Sequence, residues 1–144
     1  MLTVDVLYLI MNNRSTDIVS FNDKKIINIP IDTIIDRSCN IYLSTKEARI
    51  KTIKERYKIN QYIPIYINPS IILQPLYPKK HWNQIYINMC NVKNIIPGND
   101  INQSIIIFNN DLNIIFDVPY QKLKQYLEKC MLIKRDQLKL LNII

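Results

Sequence analysis

Apolar and polar residues alternate over the first thirty positions. Residues 3–10, 17–20 and 24–29 read as strands, the last two meeting at the turn Phe21-Asn22-Asp23. Pro30 followed by IDTIIDRS predicts a short helical turn, with Pro at the first helical position and Asp32 in the first turn. NIYL, 40–43, has the pattern of a short strand. Beyond it the period lengthens: Ala48, Ile50, Ile53 and Tyr57 form the buried side of a helix. Ser44 reads as its N-cap, with Glu47 at capping-box spacing. From 62 the period returns to two, through Ile63–Ile67, ILQPLYP and QIYINMCNV. Pro64, Pro69, Pro75 and Pro78 place these strands at edges, bends or starts, because proline cannot donate to a ladder. SIIIFNNDLNIIFDV, 104–118, predicts two strands joined by an Asn/Asp turn. Asp117 and Pro119 open an amphipathic helix with Tyr120, Leu123, Leu127, Cys130 and Met131 on one side. Residues 137–144, QLKLLNII, end in apolar side chains that suit core packing or a contact between copies.

The expectation is one α+β domain over 1–144, mainly antiparallel sheet, with a short basic helix in the first half and an amphipathic C-terminal helix. Ile, Asn and Lys make up 61 of the 144 residues, and Gly98 is the sole glycine. Turns needing positive φ are therefore expected to use Asn and Asp. His81 is the one histidine, which excludes a zinc site with two His and leaves a Ser-His-Asp arrangement a single route. Cys39, Cys90 and Cys130 are too far apart for a metal knuckle or redox pair and read as reduced, mostly buried thiols. The apolar start is interrupted by Asp5, too short to span a bilayer and unlike a signal peptide. A soluble cytoplasmic protein without cofactor or membrane partner is expected. Asp111, Asp117 and Lys122 suit a hairpin turn, a helix cap and a solvated lysine better than metal-carboxylate chemistry, so no enzyme is expected.

Charge is concentrated. The formal net charge is +7, and residues 44–93 alone hold nine basic and two acidic side chains. Between Glu55 and Asp100 there is no carboxylate. Lys51, Lys54 and Lys58 share one strip of the helix, with Arg49 and Arg56 flanking, although Glu47 and Glu55 could pair with Lys51 and Lys58. Lys79 and Lys80 add a second basic stretch. Such a run suits either solvent or a polyanion. The interleaved amide and aromatic side chains, among them Asn60, Gln61, Tyr62, Trp82 and Gln84, favour nucleic acid.

The order of pieces from about residue 30 resembles the bacterial competence transcription factor (ComK) family. The similarity begins at Ile34-Ile35-Asp36-Arg37-Ser38-Cys39, a DRSC box trailed by Ser44-Thr45 and Arg49. It continues through Ile63–Ser70, Tyr77-Pro78, Ile85–Ile87 and Phe108-Asn109-Asn110. The resemblance implies a sequence-selective DNA-binding regulator that recognises paired A/T-rich boxes, largely through the minor groove, as a homodimer or higher oligomer associated with the nucleoid. It carries over Arg37, Ser38 and Arg49 as polar site residues; Lys51, Lys54, Arg56, Lys58, Lys79 and Lys80 come from charge alone. Where the family has glycines after the DRSC box, this chain has Leu43 and Ala48, and it stops soon after the last helix.

Arg37 and Arg49 are expected to enter a narrow A/T minor groove, where the negative potential is enhanced. The DRSC box suits a folding element as well, with Arg37 paired to a carboxylate, Ser38 capping a turn and Cys39 in the core. Tyr86 and Trp82 read as packing residues rather than base-stacking platforms, and His81 as a surface residue. The alternative function is a ComK-like interaction protein with weak or no DNA binding. Contacts with a proteolytic adaptor or RNA polymerase, target promoters, and activation versus repression are left open by the sequence.

Overall fold

A computed structural model describes residues 2–143. Nine strands and three helices follow in the order β1 (Val6–Asn12), β2 (Ser15–Ser20), β3 (Lys24–Ile27), α1 (Ile31–Asn40), α2 (Lys46–Tyr57), β4 (Ile65–Asn68), β5 (Ile71–Pro75), β6 (Ile85–Asn88), β7 (Val92–Pro97), β8 (Ser104–Phe108), β9 (Asn113–Phe116) and α3 (Tyr120–Ile143). The α+β expectation holds. All strand pairs are antiparallel, in a six-stranded sheet of order β3-β2-β1-β6-β5-β4 and a three-stranded sheet β7-β8-β9.

The period-two pattern divides the large sheet between two cores. Ile72 of β5 and Ile85 and Ile87 of β6 face the small sheet and α3, meeting Ile106, Phe108, Leu123 and Cys130. Ile71, Leu73 and Tyr86 point the other way, onto Ile31, Ile34, Ile35 and Cys39 of α1. A register shift between Val6 and Tyr8 lets Leu7 and Tyr8 both join the first core while Val6 and Leu9 join the second. A third, small cluster of Ile53, Ile59 and Ile133 ties α2 to α3, reinforced by the Tyr57 hydroxyl donating to Asp136 at 3.1 Å.

Where β6 leaves one sheet for the other, the buried Asn88 side chain replaces ladder bonds. Its oxygen accepts from the N–H groups of Ile72 and Cys90, and its nitrogen donates to the carbonyls of Val6 and Ser70. Asn91 donates to the Val4 and Val6 carbonyls beside it. These amides satisfy main-chain groups that the switch of sheet would otherwise strand in the interior.

Several local expectations are corrected. Residues 31–38 are not a short turn but part of a ten-residue helix, with Pro30 at its N-cap rather than inside it. The strand at 40–43 does not form: Asn40 ends α1, and 41–43 make a turn closed by Ser44 N–H donating to the Cys39 carbonyl at 3.3 Å. The cap of α2 is Thr45, whose hydroxyl accepts from Ala48 N–H at 3.0 Å; Asp36 of the DRSC box accepts from Lys46 N–H at 2.8 Å. Ser44 lies one residue too early to reach, and Ala48 is exposed.

Positive φ falls on Asn13 and Asp111 as expected, but also on Leu43, Lys58, Tyr62 and Lys80. Gly98 is not among them. A Cβ there would lie 2.9 Å from the Gln103 carbonyl oxygen, so the glycine serves the close strand approach that its own N–H bond to that oxygen requires.

Candidate nucleic-acid interface

Two basic stretches distant in sequence meet at one groove of about 660 Å³, between α2, the loop at 58–64 and the β5–β6 connection. Lys54 of α2 and Lys79 of that connection both line it, over a floor that includes Tyr62, Tyr77 and Tyr86. Lys46 lines the same groove but is already engaged, its ammonium 2.6 Å from Asp32. Burial works against the charged form of Lys46, yet the hydrogen bond and field of Asp32, with Tyr86 alongside, raise its pKa overall. The Asp32–Lys46 pair and the Asp36–Lys46 main-chain bond together lock the N-terminus of α2 onto α1 and fix the direction in which Lys54 projects.

The remaining cations are distributed by helix geometry. At about 100° per residue, Lys51 falls on the Lys54 flank of α2, while Arg49 and Arg56 lie on the opposite flank. Arg56 lines a separate hollow with Tyr57, Asp136 and Lys139. Lys58, at the left-handed C-terminus of α2, is exposed. Lys80 takes a φ of 77° and does not line the groove. Arg37 is exposed and sits roughly 100° around α1 from Asp36, the side that meets α2. Among the described residues the ion-paired lysines are Lys24, Lys25, Lys46 and Lys93. Arg37, Lys51, Lys54, Arg56, Lys58, Lys79 and Lys80 thus have no carboxylate at salt-bridge distance, and the pairs expected for Lys51, Lys58 and Arg37 do not form.

Two DRSC-related residues turn inward. Ser38 is 2% exposed, and its hydroxyl donates to the Ile34 carbonyl one turn back at 2.9 Å, which removes it from any surface. Arg49 is half-buried: its Nη1 donates to the Tyr66 carbonyl at 3.0 Å, and its guanidinium lies against the rings of Tyr42 and Tyr66. Burial pushes the Tyr66 phenol pKa up, with Arg49 pulling against it.

Tyr86 is buried as expected, but Trp82 is not a packing residue: it is 78% exposed. It stands in the same connection as Lys79 and Lys80, with His81 stacked between it and Tyr77. The signal was present in KKHW, an aromatic next to two lysines outside any alternating run. Among the described residues no group of three or more potential metal ligands occurs, and no helix is long and apolar enough to cross a membrane.

The ComK protein family model matches residues 2–138. The chain belongs to the ComK family. That family is one of competence-type transcription factors, not known as enzymes, and the match adds the first thirty residues to the stretch where the resemblance was legible. No curated protein and no solved structure matches the chain.

Proposed function

We propose that this ComK family member is a sequence-selective DNA-binding regulator that reads paired A/T-rich boxes. The observation that carries the reading is the meeting of Lys54 and Lys79, neither ion-paired among the described residues, on the rim of one groove. Each lysine neutralises a backbone phosphate and releases counterions, with Lys51 and Lys80 extending the field to either side. Phosphate contacts position the duplex without reading sequence. Selectivity comes from the narrow A/T minor groove and its deformability, with the guanidinium of the exposed Arg37, not ion-paired among the described residues, entering it. Arg49 lies outside this surface, on the other flank of α2, where Tyr66 holds it. Reading two boxes requires two copies, so the working form is a homodimer or higher oligomer, in the cytoplasm and on the nucleoid, without a cofactor.

The test is a mobility-shift titration on A/T-box and G/C-rich duplexes of equal length at moderate salt. Tighter binding to the A/T boxes, with complex mass showing at least two copies, supports the reading; equal weak binding to both contradicts it. A second reading, a ComK-like interaction protein, is favoured by Leu138, Leu140 and Leu141, which stay 39–59% exposed near the end of α3. Stable association of copies with no duplex binding would favour it.

A further inference from the structure

Trp82 is held out into solvent by a connection built to keep it there. The neck of the β5–β6 connection is closed by the buried Gln84 side chain. Its oxygen accepts from the N–H groups of Tyr77 and Ile85 at 3.0 and 3.1 Å, and its nitrogen donates to the carbonyls of Tyr77 and Pro78 at 2.8 and 3.3 Å. Beyond the neck, His81 N–H donates to the Pro78 carbonyl, and His81 Nδ1 accepts from Asn83 N–H at 3.1 Å. His81 then lies 4.4 Å from the Tyr77 ring at an interplanar angle of 26°, and Trp82 lies 5.9 Å from His81 at 20°. Tyr77 lines the groove, His81 stacks on it and Trp82 on His81, with the exposed indole following Lys79 and Lys80, neither of which is ion-paired among the described residues.

We infer that Trp82 wedges into the base stack of the bound duplex at a deformable step, an inference that rests on the DNA-binding reading above. Covering an exposed indole gains roughly 25 cal/mol per Å² of apolar surface removed from water, so an apolar partner that reaches Trp82 is favoured. The flanking charge selects among partners. An apolar face bordered by cations matches stacked bases bordered by phosphates. Apolar side chains inserted between base steps unstack them and bend the duplex, and T-A steps yield most readily. Selectivity within A/T sequence then follows: a box with a central T-A step binds better than an uninterrupted A-tract of the same length.

Trp82 is the sole tryptophan, so its emission reports this contact alone. The experiment titrates the full chain with fluorescein-labelled duplexes, following label anisotropy for binding and tryptophan emission for insertion. On T-A boxes, emission is expected to fall with the same midpoint as the anisotropy rise, and acrylamide access to the indole to drop. Trp82→Ala should weaken binding roughly 5- to 150-fold with an unchanged thermal melt, while Trp82→Phe retains most of the affinity. Anisotropy that saturates without any emission change, or Trp82→Ala binding as tightly as the unsubstituted chain, overturns the wedge and leaves DNA binding intact. No anisotropy change on any duplex overturns both. An emission shift that follows protein concentration without duplex assigns Trp82 to a contact between copies instead, and overturns the inference.

Discussion

Arg49 Nη1 donates to the main-chain carbonyl of Tyr66 at 3.0 Å, while its guanidinium carbon lies 5.8 Å from the Tyr66 ring and 5.9 Å from that of Tyr42. Tyr66 belongs to β4, the edge of the six-stranded sheet, where main-chain groups on the side away from β5 lack a strand partner. The arginine therefore joins α2, the turn after α1 and an open sheet edge. Arg49→Ala should lower stability by about 2–3 kcal/mol through loss of a charge-assisted bond and the ring contacts. Urea unfolding measures this. A variant with unchanged stability but selectively weakened A/T-site binding would return Arg49 to the DNA surface.

Leu43 adopts a φ of 59° at 98% exposure, in the turn between α1 and α2. A left-handed backbone costs an L-residue about 1–2 kcal/mol, and the exposed side chain gains little packing in return. Leu43→Gly should raise stability by about 0.5–1 kcal/mol after the larger chain entropy of glycine is set against that strain. A melting temperature that falls instead would contradict the strain assigned to Leu43.

Burial, aided by Tyr62, pushes the Tyr126 phenol from 10.0 up to about 12. Below the lower value both folded and unfolded chains keep the proton and the group adds no pH dependence. Between the two values the unfolded chain releases it and the folded chain does not, so stability should fall by about 2–3 kcal/mol as pH rises across that window. Lys46, whose pKa is also raised by folding, adds a fall of the same sign. Urea midpoints measured across the window should show the decline, and Tyr126→Phe should make it shallower without abolishing it. An unchanged slope in Tyr126→Phe would contradict the burial assigned to this phenol.

Strand periodicity was legible wherever one face of a segment met a core. Thus β1, β2, the 104–118 hairpin and the buried stripe of α3 through Leu123 and Cys130 appear close to where the pattern put them. The junctions were harder. NIYL alternates like a strand, but the α1 face of Ile34, Ile35 and Cys39 keeps the chain helical to Asn40, beyond which only exposed turn remains. Thr45 displaced Ser44 as cap because Ser44 N–H closes the turn behind it. Nothing in the sequence marks Asn88 and Asn91 apart from the other asparagines, yet they bond main-chain groups where β6 departs from its sheet.

Charge density in the middle third was legible, but its direction was not. Lys54 and Lys79 stand 25 positions apart and come together only through the loop at 58–64. Arg49 and Arg56, adjacent to Lys54 in any linear count, are carried to the opposite flank by the helical turn. Ser38 shows the same limit: its polar side chain faces the interior because a hydroxyl can be satisfied by its own helix.

The central claim is that the groove rimmed by Lys54 and Lys79 holds the phosphate backbone of a duplex. It is tested most directly by the salt dependence of affinity for an A/T-box duplex, compared among the unsubstituted chain, Lys54→Ala, Lys79→Ala and the double variant. Each single substitution should reduce the slope of log K against log salt by about one, and the double by about two, with similar losses on A/T and G/C sequences. Slopes that stay the same in all three variants, while the duplex still binds, would contradict the account.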